Sequence, residues 1–587
     1  MRLGAVRNRA FFCAALRGQV VVWRHCMRRM HVPDIESNAM DTQNETQNEA
    51  QDKAKTREQV AKSTAVMSLC TLVSRATGFV RTWAMAFALG NTVMAAGFSL
   101  ANNLPNMIYE LVAGGVLSTA FLPIYLQQRN QHGTESSSDY ASNLLSIAMV
   151  FLGGIALLAS IFAPQVIVTQ SLFSDASNET VTAAVWFFRF LAFEIVFYGA
   201  SAIFSGILNA EREFFWPAIS SVFMNIVAIV GFFAYPFIAD ADQQAATTWL
   251  GVTMLASIAI MAFVQVPALF KTGIRFRFLI DFGEEGFKDT IKLALPAIAC
   301  TAINLVSLSV MNSCALHVAA NGPSSISYAW MWYQFPYGVL GVALSTAVFT
   351  EMSDAASRKD RVRFKEHMLA GLSTTLMLII PMAAMLFSCA YELIGLYSAG
   401  RFSASDIQPI ATLLMGWAIN LPIYAAYMFV YRVFSALKDM KTVAICNAVL
   451  TCFQVCFYLL FTGVIKVGSF SGFGLIGICV GDICFYTLML FTLLSILQHR
   501  MSSLSIASIV PSVAKVSVAS LAGGVAAYFL SRGLDGLLDT SAAVGSFIAL
   551  VITGIVGLSI IWVACRLLRV DEITRLVEAI RRKLARR

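Results

Sequence analysis

Charge is what this sequence has least of. Only 13% of its 587 residues are Asp, Glu, Lys or Arg, about half the share of a soluble domain. With 58% hydrophobic residues and a mean hydropathy of +0.70, the composition excludes a water-soluble globule. Histidine is sparse too, six in all, and the 12 cysteines show no CxxC or Cys/His spacing. That leaves no recognisable metal site or redox dithiol, and cysteines inside apolar segments serve as small hydrophobic residues. GxSxG, a P-loop and a carboxylate pair in a hydrolase setting are all missing. The reading is therefore a non-enzyme with no catalytic residues, cofactor or metal.

Long apolar runs are what the chain has instead. A helix needs roughly 20 apolar residues to cross the hydrocarbon of a bilayer. Fourteen such segments are expected, at about 64–89, 93–126, 141–169, 180–208, 216–239, 247–270, 290–318, 325–350, 366–397, 407–435, 442–465, 473–497, 508–531 and 541–565. None alternates with the short period of a membrane β-barrel. The fold class is all-α and integral to the membrane, with about 14 transmembrane helices.

Part of the chain is said twice. Leu117-Ser118-Thr119-Ala120 returns as Leu344-Ser345-Thr346-Ala347, an offset of 344 − 117 = 227. Phe197-Tyr198-Gly199-Ala200, running on to Asn209-Ala210-Glu211-Arg212-Glu213, is echoed by Ile423-Tyr424-Ala425-Ala426 and Ser435-Ala436-Leu437-Lys438-Asp439, at 423 − 197 = 226. Duplicated multi-span units build transporters whose halves rock around a shared site.

Lys and Arg are retained on the cytoplasmic side of short loops. The even-numbered connections carry Arg129, Arg212, Lys271, Arg275, Arg277, Lys288, a cluster from Arg358 to Lys365, Lys438, Lys441 and Arg500. The odd-numbered ones carry Arg401, Lys466 and Arg532. Both termini are therefore expected in the cytoplasm. The net charge of +8 follows from this bias and two basic ends, so no nucleic acid is implied. Residues 1–61 form a basic, then polar, extension too poor in apolar residues to fold alone. At the other end, Ile573, Leu576, Val577, Ile580 and Leu584 recur at helical spacing beside Arg581, Arg582 and Lys583. This tail over 567–587 either lies as an amphipathic helix on anionic membrane lipids or is a simple solubilising end.

Charge inside a span costs about 2.5–3.5 kcal/mol on insertion scales unless it faces protein or water. The first span carries two, Arg75 and Arg81, on either side of Gly78. Six helical residues separate them by about 9 Å along the axis and roughly 120° around it. If Gly78 bends the helix, both converge on one cavity; the alternative is snorkelling to the interface. A pair of guanidiniums there suits a phosphate or diphosphate, which Arg holds through a bidentate fork. In the second span Pro105 removes a helical donor, and Asn103, Asn106 and Glu110 share one stripe. Glu110 pairs with Arg75 or Arg81, or carries a proton, or is a structural partner without a transport role. The duplicate region around Trp330, Gln334 and Pro336 is neutral and aromatic. Arg189, Glu194, Asp482 and Lys515 are lesser intramembrane charges, expected to be interhelical partners or interfacial anchors.

At these residues the chain resembles a known family. Ser74-Arg75-x-x-Gly78-Phe79-x-Arg81, Leu104-Pro105-Asn106 and Phe335-Pro336-x-Gly338-Val339-Leu340-Gly341 are similar to the MurJ (MviN) lipid II flippases of the multidrug/oligosaccharidyl-lipid/polysaccharide exporter superfamily. Tyr109-Glu110-Leu111 with Gly114-Gly115 resembles its actinobacterial-type members. Against the Gram-negative pattern, Thr82, Ala96, Tyr109-Glu110, Trp330, Met331 and Gln334 stand where the family often has charged residues. The resemblance implies two pseudo-symmetric six-helix lobes, 62–270 and 271–500, and two extra helices in 501–566 forming a groove for a lipid tail. It also implies a monomer in the bacterial cytoplasmic membrane that moves lipid II from the inner to the outer leaflet by alternating access. Substrate-binding residues would be Arg75, Arg81, Asn103, Asn106, Glu110, Trp330 and Gln334, and cell-wall synthesis and division proteins would be partners. The alternative readings are a flippase for another lipid-linked glycan or a cation-coupled drug exporter of the same superfamily. The latter is expected to place carboxylates, not arginines, in the first lobe.

Overall fold

A computed structural model describes residues 67, 69–110, 121–174, 179–501, 505–535 and 537–570, and of Glu110 the backbone alone. The contacts divide the chain into residues 1–69 and 70–587. The basic extension over 1–61 and the amphipathic tail beyond 570 lie outside the described residues.

Among the described residues of the larger unit every regular element is a helix. The first half holds α1 (70–89), α2 (Val93–Glu110), α3 (Leu122–Ile161), α4 (Ala163–Val168), α5 (Glu179–Leu191), α6 (Glu194–Ala210), α7 (Phe215–Ala239), α8 (Gln243–Phe263) and α9 (Val266–Lys271). The second half holds α10 (Glu285–Val318), α11 (Gly322–Pro336), a π-helical turn Tyr337–Gly341, α12 (Val342–Ser357), α13 (Arg361–Ser388), α14 (Ala390–Gly395), α15 (Ile407–Ala436), α16 (Met440–Phe461) and α17 (Ile476–Arg500). A hairpin of α18 (Val510–Leu534) and α19 (Ala543–Leu567) completes it.

Among the described residues nine helices are long and apolar enough to cross a membrane, or ten if α5 and α6, bent by 46°, form one span. The fourteen expected segments are not all recovered as single spans, and the reasons are local. Segment 93–126 runs through residues outside the description. Segment 325–350 is broken where Pro336 ends α11 and the π turn begins. Proline removes a backbone donor and clashes with the preceding turn, so the helix cannot continue through it undisturbed.

The duplication is visible in the packing. In the first half α2 packs on α5, α3 on α6, α6 on α8 and α7 on α8; in the second, α11 packs on α15, α13 on α15, α15 on α17 and α16 on α17. The repeated sequence ends α6 and α15 by one device. Arg212 and Lys438, at 438 − 212 = 226, are left-handed, with φ of 64° and 58°. The next amides bond back five residues, Glu213 N–H to the Leu208 carbonyl (2.8 Å) and Asp439 N–H to the Phe434 carbonyl (3.0 Å). This satisfies carbonyls that the helix end leaves open. Asp439 then caps α16, its carboxylate accepting from the Thr442 N–H.

Candidate functional site

The first span holds both expected arginines, so its neighbours decide what they can do. On one side α1 is bonded to α7. Ser74 and Ser221 hydroxyls meet at 2.7 Å, and the Asn225 amide donates to the Ser74 carbonyl (3.2 Å) and the Thr77 hydroxyl (3.0 Å). On its other side α1 runs antiparallel to α11 of the second half. Tyr328 donates to the Gly90 carbonyl at 2.6 Å, and Phe79 meets Trp332 edge-on at 4.8 Å. Further along, Gly338 of the π turn lies under Arg75, where a Cβ would fall 2.5 Å from Nη1. Arg75 therefore belongs to the seam between the halves, and glycine at 338 gives its guanidinium room.

Arg81 has different company. The ionisable groups nearest in influence to it are Tyr198 and Glu194 of α6, and Glu194 is 1% exposed. One Glu194 carboxylate oxygen has no hydrogen-bond partner. Tyr198 donates to Asn106 Oδ1 at 2.6 Å, while the Asn106 amide donates to the Asn102 carbonyl. Arg81, Glu194, Tyr198 and Asn106 thus form a polar cluster between α1, α2 and α6 inside the first half. The helix continues through Gly78 without a break, so the two arginines serve two surroundings, one at the seam and one within the first half.

The other expected residues are spread. Asn103 is half-buried on α2, and the Glu110 side chain lies outside the described residues. Trp330 packs against Tyr333 (5.1 Å) and Trp417 (5.2 Å) in the aromatic interior of the second half. Gln334, half-buried, lies one helical turn before Gly338. Trp332, which meets α1, was not singled out from sequence.

Two further features emerge. Buried Asp482 accepts from Trp417 Nε1 (2.9 Å), Tyr458 Oη (2.5 Å) and Gln454 Nε2 (3.2 Å), and Gln454 accepts in turn from Ser307 (2.8 Å). This carboxylate joins α15, α16 and α17 of the second half, and Gln454 links α10 to them. A cavity of about 570 Å³ lies between α13, α15 and α18, with apolar walls that include Ile380, Phe387, Ile419, Leu521 and Phe529. Apolar walls of this kind disfavour a charged group.

At one end the halves are sealed. Asn91 bonds with Ser324 (2.7 Å) and Ser325 (3.1 Å), the Asn321 amide donates to the Asn91 carbonyl, and Arg401 N–H donates to the Phe87 carbonyl at 3.0 Å. Gly90 adopts φ +63°, and a Cβ there would meet the Arg401 carbonyl oxygen at 2.3 Å. Trp83 Nε1 adds a bond to the Leu396 carbonyl (2.9 Å), and Arg401 pairs with Asp240 at 3.2 Å.

Known proteins share this architecture. Residues 85–551 match the family model described as lipid II flippase MurJ. A lipid II flippase MurJ from Burkholderia cenocepacia is 28% identical over 428 residues, covering 71% of this chain and 81% of that one. A probable lipid II flippase MurJ from Rhizobium meliloti is 26% identical over 389 residues, covering 65% and 72%. Among solved structures, a MurJ in its inward closed conformation superposes with a TM-score of 0.70 at 22% identity, over 87% of this chain and all of that one. An inward-facing multidrug resistance MATE transporter of the MOP superfamily gives 0.63 at 14% identity, over 74% and 98%. With four-fifths of its length matched by the family model and the two-half helical fold in common, this chain belongs to the MurJ lipid II flippase family.

Proposed function

We propose that this chain carries lipid II from the inner to the outer leaflet of the bacterial cytoplasmic membrane by alternating access. The observation that supports this most is the placement of Arg75, at the seam of two like halves and over the glycine of a π turn. A guanidinium there meets a diphosphate whichever half moves, and it holds two oxygens at once. Arg81 is the second cationic group. Glu194 acts as its internal counter-ion until a substrate diphosphate displaces it. Asn103, Asn106 and Gln334 supply amides to the headgroup, while Trp330 shapes the aromatic wall behind it; Glu110 remains part of the proposed site. The apolar cavity between α13, α15 and α18 suits a prenyl tail that stays in hydrocarbon as the headgroup crosses.

The loop charges support an orientation with both termini in the cytoplasm. The sealed end, with Gly90, Asn91 and Arg401, then faces outward, and the protein is poised to receive substrate from inside. It works as a monomer beside the enzymes of cell-wall synthesis and division, with no covalent step of its own. The test is to deplete a bacterium of its own lipid II flippase and express this chain. Restored growth with lipid II reaching the outer leaflet supports the reading. Growth failure despite membrane insertion of the full-length protein refutes it.

A further inference from the structure

A second polar site lies away from the arginines, where the α18–α19 hairpin meets the second half. Glu392 of α14 is 1% exposed, and both its carboxylate oxygens lack a hydrogen-bond partner. A buried carboxylate left this way is strongly unfavourable unless something neutralises it. It borders a cavity of about 190 Å³ whose lining includes Tyr391, Gln408, Asp535, Thr540 and Ser541. These side chains offer carboxylate, amide and hydroxyl oxygens, the donor set that hard cations take.

The charges around the cavity can be counted. Asp535 and Arg532 are the charged groups that act on Glu392. Arg532 is already engaged: its guanidinium stacks on Tyr391 at 4.0 Å and lies 3.6 Å from Asp535 Oδ2. Thr540 donates to Asp535 Oδ1 at 2.9 Å. Ser531 of α18 also faces Glu392 but does not close a hydrogen bond to it. Arg532 therefore offsets Asp535 and leaves Glu392 without a salt-bridge partner, while Asp539, which accepts from the Ser541 hydroxyl and N–H, adds a further carboxylate next to the lining.

We propose that this cavity binds a monovalent cation of the sodium class, held by Glu392 with oxygens from Asp535, Gln408 and Thr540. The cation ties three elements together: α14, the start of α15 and the turn between α18 and α19. α14 already meets the hairpin beside that turn, since the Ser546 hydroxyl of α19 donates to the Thr540 carbonyl (2.7 Å) and a Cβ on Gly395 would lie 2.1 Å from Ser546 Oγ. The hairpin that walls the apolar cavity is thereby fastened to the second half at one end. This site is separate from the arginine seam and does not depend on what the protein transports.

The test is thermal unfolding of the purified full-length chain in sodium, potassium or choline chloride at equal ionic strength. Sodium should raise the unfolding temperature saturably over choline, and Glu392→Gln should abolish that rise. If Glu392→Gln does not fold, Thr540→Val and Gln408→Leu serve instead. Each should raise the half-saturating sodium concentration about tenfold, with the unfolding temperature in choline unchanged. Equal unfolding temperatures in all three salts would mean that Glu392 keeps a proton, and the proposal would fall. A sodium response that persists in Glu392→Gln, or an unchanged half-saturation in both substitute variants, would overturn it as well.

Discussion

Replacing Arg81 by alanine should damage the fold before it can report on transport, and a second substitution should separate the two effects. Glu194 is buried and faces Arg81. Arg81→Ala therefore leaves a carboxylate in the interior of the first half without its cation. Taking away the cation whose field favours a buried carboxylate costs about 1–3 kcal/mol. Glu194→Gln is milder, because Arg81 is only partly buried and glutamine keeps the shape; about 1–2 kcal/mol is expected. The double variant Arg81→Ala/Glu194→Gln removes both charges and should recover about 2 kcal/mol relative to the sum of the singles. Unfolding of detergent-purified protein gives the stabilities, and lipid II translocation in depleted cells gives the function. Stability should return in the double variant while translocation does not, since the diphosphate contact is gone. Wild-type stability in Arg81→Ala, with strictly additive effects in the double, would refute the pairing.

Other substitutions probe other parts. Gly338→Ala places a Cβ 2.5 Å from Arg75 Nη1; it should lower translocation severalfold at normal protein level, and full activity would show that Arg75 does not work against the π turn. Asp482→Asn weakens the acceptor shared by Trp417, Tyr458 and Gln454, and should cost about 1–3 kcal/mol in unfolding measurements. At the α15–α16 turn, bonds from Thr442 and then Arg500 hold the Asp439 carboxyl below its usual value. A depressed carboxylate stabilises above its ordinary pKa of about 4 and loses that contribution as pH falls below it. Amide exchange over residues 438–442 should therefore accelerate, relative to the intrinsic rate, only below about pH 4, and Arg500→Ala should lessen the effect. Single cysteines at Ser469 should react with an impermeant reagent from outside and those at Ser357 only after permeabilisation; the reverse would invert the orientation.

Much of the fold is legible in sequence because crossing a bilayer is a local property of about 20 residues. The repeated turn at 209–213 and 435–439 was readable for a like reason: a helix ending in a left-handed residue is decided by neighbours in the chain. Pro336 lies inside the expected span 325–350, and only the structure shows that a π turn follows it. Partner choice between helices was not legible. Glu194 looked like a lesser charge because its distance from Arg81 in sequence hides that α6 turns it toward α1. Trp332 was passed over for Trp330, since two residues on one helix differ by roughly 200° in direction, and that direction is set by packing. Glu392 carried no signal at all, being a single carboxylate after a helix break at Cys389.

If cationic groups at the seam hold a lipid-linked diphosphate, lipid II exposure on the outer leaflet measures their work most directly. Cells relying on this chain should expose it at wild-type rates, and cells relying on Arg75→Ala should accumulate it inside with the variant inserted at normal level. Arg75→Lys should recover only part of the rate, because a point charge cannot form the fork. Undiminished exposure with Arg75→Ala would contradict the account.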